Sequence, residues 1–208
     1  GSVFYKGHNL RDNAERPALV MQKVIHMVST VLECLLSNLP NRSSLTRSEQ
    51  IDVVKLHCMK LNEHWVLDRL NSPMVQLAFH EQRIISIIRE SLPSSGLLML
   101  DEPTANMAEQ AAALVCRLIK LGAKFQPVLM VSHNLRQTRE LADVVVLIAN
   151  GHVEEYGRVT EFYENPMSEL TRIYLRTGSC PELSQLELDE IDEIDEIDEI
   201  DEIDEIDE

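Results

Sequence analysis

The sequence predicts an α/β domain in three layers, a mainly parallel sheet between helices, with an all-helical region set into it. Three observations carry this expectation. Leu97–Leu100 is an unbroken apolar run that leads straight into Asp101 and Glu102, and Pro103 ends it because proline has no N–H for a ladder. An apolar run of this length without alternation fits a central parallel strand covered on both faces. Val128–Val131 and Val144–Ala149 are two more such runs, and helix-forming stretches separate all three, so strand and helix alternate. Leu97–Leu100, Val128–Val131 and Val144–Ile148 are therefore expected to be near neighbours in one mainly parallel sheet. Residues 27–92 instead carry helical apolar spacing broken by turn residues.

Composition narrows the class. A chain of 208 residues holds one good core with appendages. Its net charge of −16 comes mostly from one end, because Asp189–Glu208 is an unbroken Asp-Glu-Ile repeat with seven Asp and seven Glu. Without those 14 charges the body stands at −2, so charge makes no case for nucleic acid or an anionic membrane as partner. A period of three spirals the isoleucines around a helix and the like charges repel, so disorder is expected there. A repeat expansion and an added tag would both produce such a run. Cys34, Cys58, Cys116 and Cys180 have no metal-like spacing and read as free thiols in a reducing compartment. No apolar run reaches bilayer length, and no signal-peptide pattern opens the chain, so a cytoplasmic body is expected.

The elements follow in order. Gly1–Leu10 reads as a strand and turn, and Ala18–Gln22 as a short apolar strand ending in an amide. Helices are expected from about Met27 to Leu39 and Arg47 to Leu61, with Thr46 and Glu49 placed to form a capping box. Glu63–Leu70 reads as another short helix with Trp65 as a core anchor, and Leu77–Leu92 as a longer one. After the Leu97–Thr104 strand and turn, Glu109–Leu121 is a strong helix former with Gly122 as its expected C-terminal cap. Arg136–Ala142 is the next helix. Asn150-Gly151 predicts a tight hairpin from Val144–Ala149 into His152–Tyr156. Val159–Asn165 and Met167–Thr177 close the body as two short helices.

The site expectation starts from Asp101 and Glu102. Two acids at the mouth of a parallel strand lie where open α/β sheets bind their ligands. The whole string Leu97–Thr104, LLMLDEPT, resembles the Walker B motif of ATP-binding-cassette (ABC) ATPases. His133 follows 32 residues later, after a helix and a strand, and is similar to the switch histidine of that family. Leu77-Ala78-Phe79-His80-Glu81 starts 24 residues before Asp101, where the family has Leu-Ser-Gly-Gly-Gln, and Arg89 falls on the usual helix arginine. Gln22 falls on the Q-loop glutamine. Ala105–Ala108 falls on the D-loop, with Ala108 in place of its aspartate. EHWVLDRLNSP and EFYENPMSELTRIYLRTG resemble the phosphate-importer ATPases in particular.

What the resemblance implies is an ABC ATPase-like P-loop-NTPase domain with a helical subdomain. Residues 1–26 would be partial N-terminal strands and Q-loop, 27–92 the helical subdomain and degenerate signature helix, 93–178 the Walker B and H-loop core, and 179–208 the acidic tail. Asp101 would hold Mg²⁺, Gln22 would contact Mg²⁺ or the attacking water, Glu102 would polarise that water, and His133 would bond the γ-phosphate of ATP. Ala78, Phe79, His80 and Glu81 would stand where a second copy's ATP is cradled. Permease subunits and that second copy are the implied partners, with the protein peripheral to the inner membrane face. No G-x-x-x-x-G-K-[ST] pattern occurs in the 208 residues, and the sequence starts too late in the family frame to contain it. That loop supplies most of the grip on the β- and γ-phosphates. The expectation is a partial or divergent importer ATPase, or alternatively a non-catalytic degenerate cassette acting as a docking module. In either case the 208 residues alone are not expected to hydrolyse ATP.

Overall fold

Three short parallel strands organise the first part of the computed structural model: β3 (Ala18–Val20), β4 (Leu98–Asp101) and β5 (Val128–Val131), in the order β3-β4-β5. The structure describes residues 4–5, 7–9, 17–22, 29–92 and 96–180, so the acidic tail from residue 181 lies outside the described residues. Val20 pairs with Leu100, and Asp101 with Val131, which brings the three strand ends to the same edge. Before them, β1 (Phe4–Tyr5) and β2 (His8–Asn9) form a small antiparallel hairpin, where the opening stretch reads as a single strand and turn.

The chain divides into two compact units, Gly1–Ser132 and His133–Glu208. In the first, the helical region comprises α1 (Val31–Leu36), α2 (Arg47–Lys60), α3 (Trp65–Asp68) and α4 (Phe79–Ser91), and α5 (Glu109–Gly122) follows β4. The Thr46–Glu49 capping box forms as expected: the Thr46 N–H donates to the Glu49 carboxylate at 2.7 Å, and the Glu49 N–H to the Thr46 hydroxyl at 3.4 Å. α1 is shorter than its apolar pattern, because Thr30 caps it by accepting from the Glu33 N–H. Gly122 is the last residue of α5 rather than its cap, and Ala123 closes the helix by donating to Ile119. Trp65 is half-buried. Val66 takes the core position, and the indole is committed to a hydrogen bond.

Two expectations about the sheet are corrected. Leu98 and Leu100 are buried, but Leu19, Leu129 and Val131 on the opposite face are about half exposed. The third layer is thus not seen on that face among the described residues. The sheet order supplies the reason. Strand order advances in one direction from β3 to β5, and successive right-handed crossovers then place their helices on the same face. Val144–Ile148 is also not part of this sheet. It forms β6 (Val144–Ala149), which pairs antiparallel with β7 (His152–Arg158) in a sheet of two. Asn150 and Gly151 both have positive φ, the geometry of a tight hairpin turn, so the nearest partner in sequence captures the strand.

The second unit holds that hairpin with α6 (Leu135–Leu141), α7 (Val159–Glu164) and α8 (Glu169–Thr177). Its core centres on Phe162 and Leu170. Glu155, buried on β7, accepts from the Met167 and Ser168 N–H groups at 3.0 Å each and ties the approach to α8 to the hairpin. These bonds help hold its carboxyl below the usual range, against the burial that raises it. Among the described residues no helix is long and apolar enough to cross a membrane, and all four cysteines are free.

Candidate functional site

The candidate site is the edge where the parallel strands of the first unit end. Asp101 is the last residue of β4, still in register with Val131, and the Glu102 N–H donates to the Val131 carbonyl at 3.0 Å. This last ladder bond holds both acids at the strand mouth. Glu102 has φ +43°, a left-handed conformation uncommon for a glutamate, and Asn106 four residues on has φ +61°. Strain of this kind collects at functional turns. Gln22 lies two residues beyond β3 on the same edge, because β3 and β4 run parallel with Val20 opposite Leu100. The edge therefore gathers three of the expected site residues: Asp101, Glu102 and Gln22.

The sequence did not reveal what holds Gln22 in place. Arg83, on the second turn of α4, is fully buried and donates to the Met21 and Gln22 carbonyls. Burial pulls its pKa below the usual arginine value, with the negative charge of Asp101 opposing that shift. Among the described residues its Nε has no hydrogen-bond partner, and its guanidinium carbon lies 5.8 Å from the centroid of the Phe79 ring. The one sequence signal was a cation set directly against the apolar run of Ile84, Ile85, Ile87 and Ile88. The family alignment drew attention to Arg89 instead, which pairs with Glu90 at 2.7 Å and reaches Cys34 Sγ at 3.9 Å.

The same bonds bring the start of α4 to this edge. Ala78 is its N-cap and has no side-chain oxygen to offer the first turn. Glu81 folds back instead, and its carboxylate accepts from the Ala78 N–H at 2.8 Å. Phe79 is exposed, and His80 and Glu81 are half-buried. A helix N-terminus attracts anions through its unpaired N–H groups and its dipole, and here a carboxylate of the chain itself already occupies that position. The residues present therefore do not fit a phosphate at the start of α4. Asp101 and Gln22 supply oxygen atoms of the type Mg²⁺ takes, though no cluster of three or more acidic, histidine or cysteine ligands occurs among the described residues. His133 opens the second unit, two residues beyond the end of β5.

No protein-family model matches the chain. It is similar to the phosphate import ATP-binding protein PstB of Saccharolobus solfataricus, at 30% identity over 133 residues covering 63% of this chain and 52% of that protein. It is similar to PstB of Campylobacter jejuni at 32% over 110 residues, covering 53% and 45%. Against PstB of Thermotoga maritima the match is 23% over 184 residues, covering 84% and 73%. The chain thus spans about half the length of the first two of these relatives. A parallel sheet ending in Asp101-Glu102 agrees with these matches: the chain resembles the ABC ATPases, and among them the phosphate-import ATP-binding proteins.

Proposed function

We propose that the chain is a divergent copy of the ATP-binding subunit of a phosphate-type ABC importer. In that role Asp101 and Gln22 would stand toward Mg²⁺, with Glu102 and His133 toward the phosphate chain and the attacking water. Permease subunits and a second copy would be its partners at the inner face of the membrane. The gathering of Asp101, Glu102 and Gln22 on one strand edge supports this descent.

A second reading is favoured by one specific contact. Glu81 caps its own helix at 2.8 Å from the Ala78 N–H, flanking Phe79 and His80, which stand where the family presents glycine N–H groups to ATP bound by the other copy. Two unit negative charges about 5 Å apart at an effective dielectric of about 20 repel by roughly 3 kcal/mol, close to a hundredfold in affinity. Phe79 adds a ring where phosphate must approach the backbone. Arg83, whose charge interacts with that of Asp101, is already committed to two carbonyls. The 208 residues by themselves act as a non-catalytic cassette that docks rather than hydrolyses.

Calorimetric titration with Mg·ATP, alongside phosphate release by wild type and Glu102→Gln, tests both readings. The expected result is no binding in the submillimolar range and equal background phosphate release. Submillimolar binding with turnover abolished in Glu102→Gln would overturn the non-catalytic reading and leave an active importer ATPase.

A further inference from the structure

The far end of the first unit, away from Asp101 and Glu102, contains a pocket of about 150 Å³. It lies where β4 and β5 begin and is closed in by α2, α4 and α5. Ile87, Leu98, Leu118 and Phe125 supply apolar wall. Native interiors hold few voids larger than a water molecule, and an apolar cavity of about this volume is enough to take up benzene. A mostly apolar pocket with a few converging polar groups is the usual form of a small-molecule site.

The polar groups of this pocket have a definite sense. Ser91 has one hydroxyl proton, which it donates to the Ile88 carbonyl at 2.9 Å. The same hydroxyl lies 2.8 Å from His57 Nε2. Burial first, and the charge of Lys60 second, push the His57 pKa down to about 4, which keeps the ring neutral near pH 7. The charge in the lining is then Lys60, whose ammonium stands 4.0 Å from the centroid of the Phe125 ring. Among the described residues no carboxylate lines the pocket and Lys60 has no ion-pair partner.

We propose that this pocket binds a small monocarboxylate with an apolar body of about benzene's size, the body between the Leu98 and Leu118 side chains and the carboxylate on Lys60. The wall area selects an apolar body, the volume limits it to about one ring, and the unpaired ammonium sets the sign of the polar end. The pocket shares no residue with the strand edge that carries Asp101, so this inference stands apart from the proposed nucleotide chemistry.

Benzoate is the probe, with benzylamine and benzyl alcohol as comparators, titrated into the full chain by calorimetry and ligand-observed NMR. Benzoate is expected to bind saturably with a Kd of about 10 mM or tighter, benzyl alcohol about tenfold more weakly, and benzylamine not measurably. Lys60→Gln should weaken benzoate about tenfold. Gly122→Leu should abolish binding by filling the pocket. A Cβ at Gly122 meets only Leu61 Cδ2, at 4.0 Å, so the larger side chain starts without a clash. If that variant does not fold, Ile119→Phe fills the same wall. Absence of saturable benzoate binding, equal binding of benzylamine, or binding unchanged in Lys60→Gln or in a folded filling variant would each overturn the proposal.

Discussion

Replacing Glu63 with alanine is expected to destabilise the first unit by about 3 kcal/mol, and the structure says where that energy lies. Glu63 is 1% exposed. One carboxylate oxygen accepts from the Trp65 indole N–H at 2.6 Å, and the other from Arg117 on α5 at 3.2 Å. The carboxylate thus joins the helical region to α5 through two contacts of unequal weight. A hydrogen bond to a buried charged group is worth about 1.5–3 kcal/mol. The Arg117 side chain is 56% exposed, so its ion pair is screened and worth less than about 1 kcal/mol. Glu63→Ala loses both and leaves the indole N–H without its acceptor, whereas Arg117→Met loses only the smaller contact. Urea and thermal unfolding followed by the emission of Trp65, the one tryptophan in the chain, report directly on this site. The expected drop in Tm is about 6–12 °C for Glu63→Ala and about 3 °C or less for Arg117→Met. Equal losses in the two variants would refute the reasoning, because the energy would then reside in the exposed ion pair. A loss below about 1 kcal/mol for Glu63→Ala would refute it as well.

Two further outcomes follow from the same burial arguments. Burial holds His57 neutral with a folded pKa of about 4, against about 6.5 for a histidine in water. Between those values the unfolded chain binds more protons, so this stability is complete above about pH 6.5 and is lost as pH falls toward 4, by up to about 3 kcal/mol. His57→Gln should remove that part of the pH dependence, and parallel stability curves for wild type and variant from pH 4.5 to 7 would contradict it. On the sheet, Leu100 is 1% exposed and Leu129 is 54% exposed. Leu100→Ala should therefore cost about 2–5 kcal/mol and Leu129→Ala less than about 1 kcal/mol. Similar costs, measured by denaturant midpoint, would mean that the Leu129 face is covered.

The sequence by itself determined what short-range physics decides. The Thr46–Glu49 cap joins residues three apart, the Asn150-Gly151 turn needs only its own backbone, and the short apolar runs at Leu98–Asp101 and Val128–Val131 announce strands. The two carboxylates at a strand mouth were legible for the same reason, since Pro103 and the apolar run place them. Only the tertiary structure decided which remote groups meet. Arg83 finds the Met21 and Gln22 carbonyls across 62 and 61 residues, and Glu63 finds Arg117 across 54. The apolar run Val144–Ala149 reads like a central parallel strand but joins an antiparallel hairpin, because a strand's hydrophobicity does not name its partner. The burial of one sheet face and the closing of the pocket around Leu98 have the same origin. Each depends on the direction in which the chain crosses from strand to strand, and residue types at neighbouring positions carry little record of that choice.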